Sequence, residues 1–268
     1  MEKIKKLRKL FNKFKLDGYV VPKNNNFFGE YVSTSEDNLK YISNFTGSTG
    51  FAVILKNKNF MFVDGRYSTQ ADIQCGKYYK ICTIPKEYPF NIFNKKKLKL
   101  GFDPRLHTEN QLGRLFKNSF IKLEPIDENL IDVLWKRKKD TNIKPFYLIK
   151  DRDAGSRLID KLAKLSKLII QNKVDFLFTT ASENIAWLLN IRGHDTNYSP
   201  LPNSHAFISS NKEIILFCNL KKINKSLKLK LNKKVKIYDF DQLPNFISNL
   251  SNKKILIDVL TCSVFFKT

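Results

Sequence analysis

At the start of the chain, Ile4, Leu7, Phe11 and Phe14 recur at helical spacing with lysines between them. Residues three and four apart share one face of an α-helix, so the segment predicts an amphipathic helix. Such a face docks on a sheet of its own domain or lies on a membrane surface; docking is the expectation. An apolar strand follows, from Asp17 through Val21. The same order returns later. Leu158, Leu162, Leu165 and Ile169 mark a second amphipathic helix, and its strand runs from Asp175 through Phe178.

The parallel continues as an internal repeat. Ser35-Glu36-Asp37-Asn38-Leu39-Lys40-Tyr41-Ile42 leads through Asn44 to Gly47, and Ser182-Glu183-Asn184-Ile185-Ala186-Trp187-Leu188 leads through Asn190 to Gly193. From Asn38 to Gly47 the two copies run without a gap. Each predicts a short helix with Ser as N-cap, an acid in the first turn, an aromatic inside and Gly as terminator. A hairpin follows in both, Phe51–Leu55 with Phe60–Val63 and Ala206–Ser209 with Ile214–Phe217. Later, Leu98–Phe102 ending at Asp103 matches Ile255–Ile257 ending at Asp258.

This pattern predicts an α/β fold of two tandem related domains, each a mixed sheet flanked by helices. The expected division is a domain over 1–135, a linker over 136–153 and a second domain over 154–268. The charged run Lys136, Arg137, Lys138 and Lys139 reads as solvated linker. After Asp103 the first copy adds a helix near Gln111–Phe116 and a strand at Phe120–Leu123, and ends near Trp135. After Asp258 the second copy has only Val259–Thr268. A sheet left with an unpaired edge is unusual. The expectation is therefore a second copy truncated at its C-terminus, in a chain that is the front part of something longer.

Composition changes the picture little. The 268 residues carry 48 Lys+Arg against 25 Asp+Glu, a formal charge of +23. Of the basic residues, 40 are Lys and 8 are Arg, and Asn is also abundant. Lys, Asn, Ile and Phe share A/T-rich codons, so genome composition accounts for the excess. Base readout favours Arg, which is scarce. Nucleic acid is not an expected partner. A 42% apolar content excludes a disordered basic tail. No run approaches the roughly 20 apolar residues of a membrane span, and the N-terminus lacks the apolar core of a signal peptide. Cys75, Cys82, Cys218 and Cys262 lack Cys-x-x-Cys spacing and read as buried thiols in a reducing, cytoplasmic setting.

Candidate chemistry is sparse. His107 sits in a polar loop, His194 in the loop after Arg192-Gly193, and His205 at a strand start, with no Gly-x-Ser-x-Gly nucleophile to join them. Asp151 and Asp153 lack a third ligand, so no metal is expected in this chain. Gly47-Ser48-Thr49-Gly50 reads as a tight turn, since it lacks the Lys-Ser/Thr of a phosphate loop. Arg66, after Asp64-Gly65 and beside Tyr67, either grips a carboxylate in a cleft or pairs on the surface. Arg192-Gly193-His194-Asp195, with Tyr198-Ser199-Pro200-Leu201-Pro202, is the most irregular loop. It reads as a functional loop, or as one fixed by an Arg192–Asp195 pair.

Two sets of residues carry a family resemblance. Asn44-Phe45-Thr46-Gly47-Ser48-Thr49-Gly50 and Phe62-Val63-Asp64-Gly65-Arg66-Tyr67, with Gln70-Ala71, resemble the N-terminal domain of the creatinase/prolidase superfamily. Trp187-Leu188-Leu189-Asn190-Ile191-Arg192-Gly193, with Asp195 and Pro200, resembles the second domain of three-domain Xaa-Pro aminopeptidases. The resemblance implies two noncatalytic domains ahead of a catalytic domain that holds two divalent metals, typically manganese, bound by two Asp, one His and two Glu. It implies an aminopeptidase releasing the residue that precedes proline, a homodimer or peptidase subunit, and front domains that shape the substrate cleft. Arg66, Tyr67, Arg192, His194, Asp195 and Tyr198 become cleft candidates, with no catalytic residue and no metal ligand in this chain. His194 stands where Ser is common, and Lys138-Lys139 where Arg-Pro is often found. The alternatives are a standalone binding or dimerisation module and a basic nucleic-acid-binding protein.

Overall fold

The computed structural model describes residues 1–137, 143–231 and 235–267. It divides into two compact units. The first comprises Met1–Asn26, Thr34–Lys139 and Ser263–Thr268, and the second Phe27–Ser33 and Asp140–Cys262. Lys138 and Lys139 lie outside the described residues.

In the first unit, helix α1 (Glu2–Lys13) leads into strand β1 (Gly18–Pro22), α2 (Asn38–Ser43), β2 (Phe51–Leu55) and β3 (Asn59–Asp64). Then come α3 (Ser68–Cys75), β4 (Lys80–Ile84), α4 (Pro89–Ile92), β5 (Leu98–Phe102), α5 (Glu109–Phe116), β6 (Ile121–Pro125) and α6 (Leu130–Leu134). The sheet order is β4-β3-β2-β1-β5-β6. β1, β2 and β3 are antiparallel neighbours, and the outer pairs are parallel. Ile4, Leu7 and Phe11 of α1 are buried in one cluster with the sheet residues Tyr19, Val21, Ala52 and Ile54. The amphipathic face is thus taken up by its own sheet, each side chain contributing about 2 kcal/mol. The other sheet face packs Phe51, Phe62, Phe93 and Leu115.

The second unit repeats this plan. It contains β7 (Tyr147–Leu148), α7 (Asp151–Ala154), α8 (Leu158–Gln171), β8 (Phe176–Thr179), α9 (Ser182–Leu189), β9 (Ile191–Arg192), β10 (Ser204–Ser209) and β11 (Ile214–Cys218). α10 (Lys225–Leu231), β12 (Val235–Tyr238), α11 (Leu243–Ser248) and β13 (Ile255–Ile257) complete it. Its main sheet has the order β12-β11-β10-β8-β13, which among the described residues is the first sheet without a counterpart of β6. β7 and β9 form a separate two-stranded ribbon.

The repeat extends to single hydrogen bonds. Asp17 accepts from the backbone of Lys99 at 3.0 Å, and Asp175 accepts from Lys254 at 2.8 Å. Both carboxylates therefore lock the first strand of a copy to its later parallel neighbour, and both are held below the usual carboxylate range, chiefly by that backbone donor.

The helix ends differ from the sequence expectation. Asp37, not Ser35, caps α2 by accepting from Lys40 N at 2.9 Å. α9 has Ala181 at its N-cap, and Ser182 is already helical. The terminators are Asn44 and Asn190, both in the left-handed region at φ 68° and 53°, rather than the glycines. Gly193 has a different purpose: a Cβ there would stand 2.7 Å from the Leu201 carbonyl. The charged run is not uniformly solvated either. Arg137 stacks over Trp135 and donates to the Ser35 carbonyl and Asn38 at 2.6 Å. All four cysteines are buried, and among the described residues none is in a disulfide. Among the described residues, no helix is long and apolar enough to cross a membrane.

Candidate functional site

The Arg66 turn forms because Asp64 accepts from Arg66 N at 2.9 Å, closing a short 3-10 turn after β3. The guanidinium folds back on the same carboxylate through Nε at 3.2 Å and Nη2 at 2.7 Å, and holds Asp64 below the usual carboxylate range. The Arg66 side chain is 75% exposed, which is the geometry of a surface pair. The guanidinium also lies over the Tyr67 ring, 5.5 Å from its centre. The Tyr67 hydroxyl lies 2.8 Å from Ser48 Oγ and the ring meets Phe45 edge-on, so Tyr67 fastens the glycine turn to the hairpin.

In the second unit, Arg192 and Asp195 do not pair with each other. Asp195 accepts from Asn203 N at 2.8 Å and forms an ion pair with Lys222 at 2.5 Å. Its side chain is nearly buried, so it holds the loop to the turn after β11. Arg192 instead donates Nη1 to the carbonyls of Ala186 (3.0 Å) and Ile191 (2.9 Å) at the C-terminal end of α9. Cations are favoured there by the helix dipole. His194 is exposed, its ring 5.5 Å from Tyr147. Tyr198 is 90% exposed and meets Tyr31 edge-on.

One residue that the sequence reading passed over stands beside Arg192. Lys161, on α8, is 1% exposed. Its ammonium donates to the Trp187 carbonyl and to Asn190 Oδ1, both at 2.5 Å, and lies 4.8 Å from the Trp187 ring centre. Asn190 in turn donates to Asp151 (2.9 Å) and the Ser156 carbonyl (3.0 Å). Its left-handed backbone, which ends α9, is what turns the amide toward α8. Lys161 and Arg192 line one cavity of about 440 Å³ with Trp187, Ser199, Pro200 and Leu201. The signal was present in the repeat: Lys3 holds the matching position in α1, donating to the Tyr41 carbonyl at 2.9 Å over the Tyr41 ring.

The other histidines are interior. His107 is 1% exposed, with Nδ1 3.0 Å from the Asp103 carbonyl, and His205 is packed among Phe27, Phe178 and Phe240. Burial pushes each imidazole down to about 4. Around His107, Asp103 and Thr108 spend their side chains capping adjacent turns. A polar recess of about 310 Å³ in the first unit is also internally satisfied: Asn25 engages Glu36, Asn129 engages Asp103, and Arg137 engages Asp132.

Comparison with known proteins matches this plan twice. Residues 3–133 match the model of the creatinase/prolidase N-terminal domain, and residues 137–268 match a second model of the same description. The chain is a tandem pair of creatinase/prolidase N-terminal domains. It is 30% identical over 254 residues to a probable Xaa-Pro aminopeptidase P of Coprinopsis cinerea, covering 91% of this chain and 41% of that protein. Against Xaa-Pro aminopeptidase 1 of Dictyostelium discoideum the identity is 28%, with 96% and 44% covered. The crystal structure of X-prolyl aminopeptidase from Caenorhabditis elegans, described as a cytosolic enzyme with a di-nuclear active site, superimposes with a TM-score of 0.84. That match has 27% identity over 92% of this chain and 43% of the enzyme. The chain thus spans less than half the length of these relatives. Among its described residues no group of three His, Cys, Asp or Glu side chains is placed to hold a metal ion.

Proposed function

We propose that these two domains are the noncatalytic front portion of a Xaa-Pro metalloaminopeptidase, shaping its substrate cleft and contributing to its dimer in the cytoplasm. The observation that carries the reading is that 92% of the chain, spanning both domains, superimposes on 43% of the Caenorhabditis elegans enzyme with a TM-score of 0.84. The rigid loop after Arg192, anchored through Asp195 and Lys222, is the element best suited to line a cleft.

The test is direct. Purified chain is incubated with manganese and an Xaa-Pro peptide, and release of the first residue is followed. The reading predicts none, with or without metal; sustained turnover that co-purifies with the chain refutes it. Sedimentation tests the dimer contribution, where a monomer at every accessible concentration argues against it.

A further inference from the structure

We propose that the cavity beside Lys161 and Arg192 is a carboxylate-binding site, fitted to the C-terminal end of a peptide whose last residue is apolar. The cavity holds about 440 Å³ within the second compact unit. Its lining carries two cations, Lys161 and Arg192, and two carboxylates, Glu30 and Glu183. Lys161 gives two of its three ammonium protons to oxygens of the α9 terminus. Among the described residues Arg192 commits only Nη1, leaving its Nε–Nη2 edge without a hydrogen bond. That edge is the fork that takes a carboxylate bidentately. Arg157 uses it on Asp160 in this same chain, at 2.9 and 3.1 Å.

Among the described residues neither Lys161 nor Arg192 forms an ion pair, whereas Arg157 and Lys222 of the same unit do. Asp151 reaches Lys161 only through Asn190. The end of α9 supplies about half a negative charge against two cations. Burial holds Lys161 below its ordinary value, Asp151 opposes that shift and Arg192 adds to it. An anion between the two cations would relieve the strain. The wall is apolar: Trp187 is 49% exposed and Leu201 lines the same space. Glu30 and Glu183, both exposed, also line the cavity and offset its two cations, so a singly charged carboxylate held by the Arg192 fork suits it better than a dianion such as phosphate.

The repeat shows that this is more than a helix cap. In the first domain Lys3 sits at the same register, but Thr46 stands where Arg192 does, and Trp135 stacks on Tyr41 at 4.7 Å. The second cation and the uncovered aromatic belong to the second domain alone.

The experiment uses the full chain at low salt, with acetyl-Gly-Pro-Leu as the free acid and as its amide, followed by titration calorimetry. The acid is expected to bind at least about tenfold more tightly than the amide, and Arg192→Met to remove that difference. Inorganic phosphate should not compete. Acid and amide binding alike, no acid binding at millimolar concentration, or a variant that keeps the difference overturns the site. Hexanoate binding as tightly as the peptide acid overturns the peptide end as ligand. Arg192→Lys, expected to lose part of the difference, replaces the methionine variant if circular dichroism shows that variant unfolded; should both unfold, the acid–amide comparison on the unaltered chain decides. The site lies within the second compact unit and is read by binding, so its failure is separable from that of the peptidase reading, which is tested by hydrolysis.

Discussion

The two domains place a lysine against an aromatic at the same point of the repeat and then diverge. In the first, Lys3 lies 4.3 Å from the Tyr41 ring centre, Trp135 covers the tyrosine, and the Tyr41 hydroxyl donates to the Leu134 carbonyl at 3.1 Å. The corner is sealed by the residues that follow α6. In the second, Lys161 lies against Trp187, and among the described residues no ring stacks on the indole. One corner has become packing and the other a lined cavity. The difference teaches that a shared scaffold device carries no function by itself; the residues around it decide.

The largest expected effect separates the two corners. Trp135→Ala should cost about 3 kcal/mol in denaturant unfolding, because it uncovers Tyr41 and removes the ring under Arg137. Trp187→Ala should cost about 1 kcal/mol or less, since half of its surface is already in solvent. Equal costs would break the comparison.

Next come the two asparagine terminators. Asn190→Gly should destabilise by about 2 kcal/mol, because three hydrogen bonds depend on its amide. Asn44→Gly should be neutral or stabilising by a few tenths of a kcal/mol, since its left-handed φ suits glycine and its side chain holds nothing comparable. Thermal melts of both variants check the pair.

The third expectation treats the domains alike. His107 and His205, one in each, have folded pKa values of about 4 against an ordinary 6.5. The unfolded chain binds the proton more readily, so their contribution is full above pH 6.5 and is lost as pH falls toward 4. At pH 5 each histidine should have given up about 2 kcal/mol relative to neutral pH. Urea midpoints at the two pH values test this; a stability that rises on acidification would contradict it.

Much of the fold was legible in the sequence because the repeat doubles every signal. Leu98–Phe102 and Ile255–Ile257 were read with their observed bounds, and the two hairpins within two residues. Helix caps were less legible, since Ser, Asp and Asn all compete for such positions and only backbone geometry decides among them. The candidate loop was found from its prolines and charges, but its pairing was not. Lys222, the true partner of Asp195, is distant in sequence and follows an ordinary strand. Lys161 was hidden for another reason. A lysine on an amphipathic helix reads as solvated face, and nothing local reports that Trp187 and Asn190 fold over it.

The chain contains two tryptophans, one in each corner, which makes the central claim measurable. Acrylamide quenching of Trp187 alone, in Trp135→Phe, and of Trp135 alone, in Trp187→Phe, reads the two corners separately. A sealed first corner and an open second one predict markedly steeper quenching for Trp187. Equal quenching, or steeper quenching of Trp135, would contradict the account.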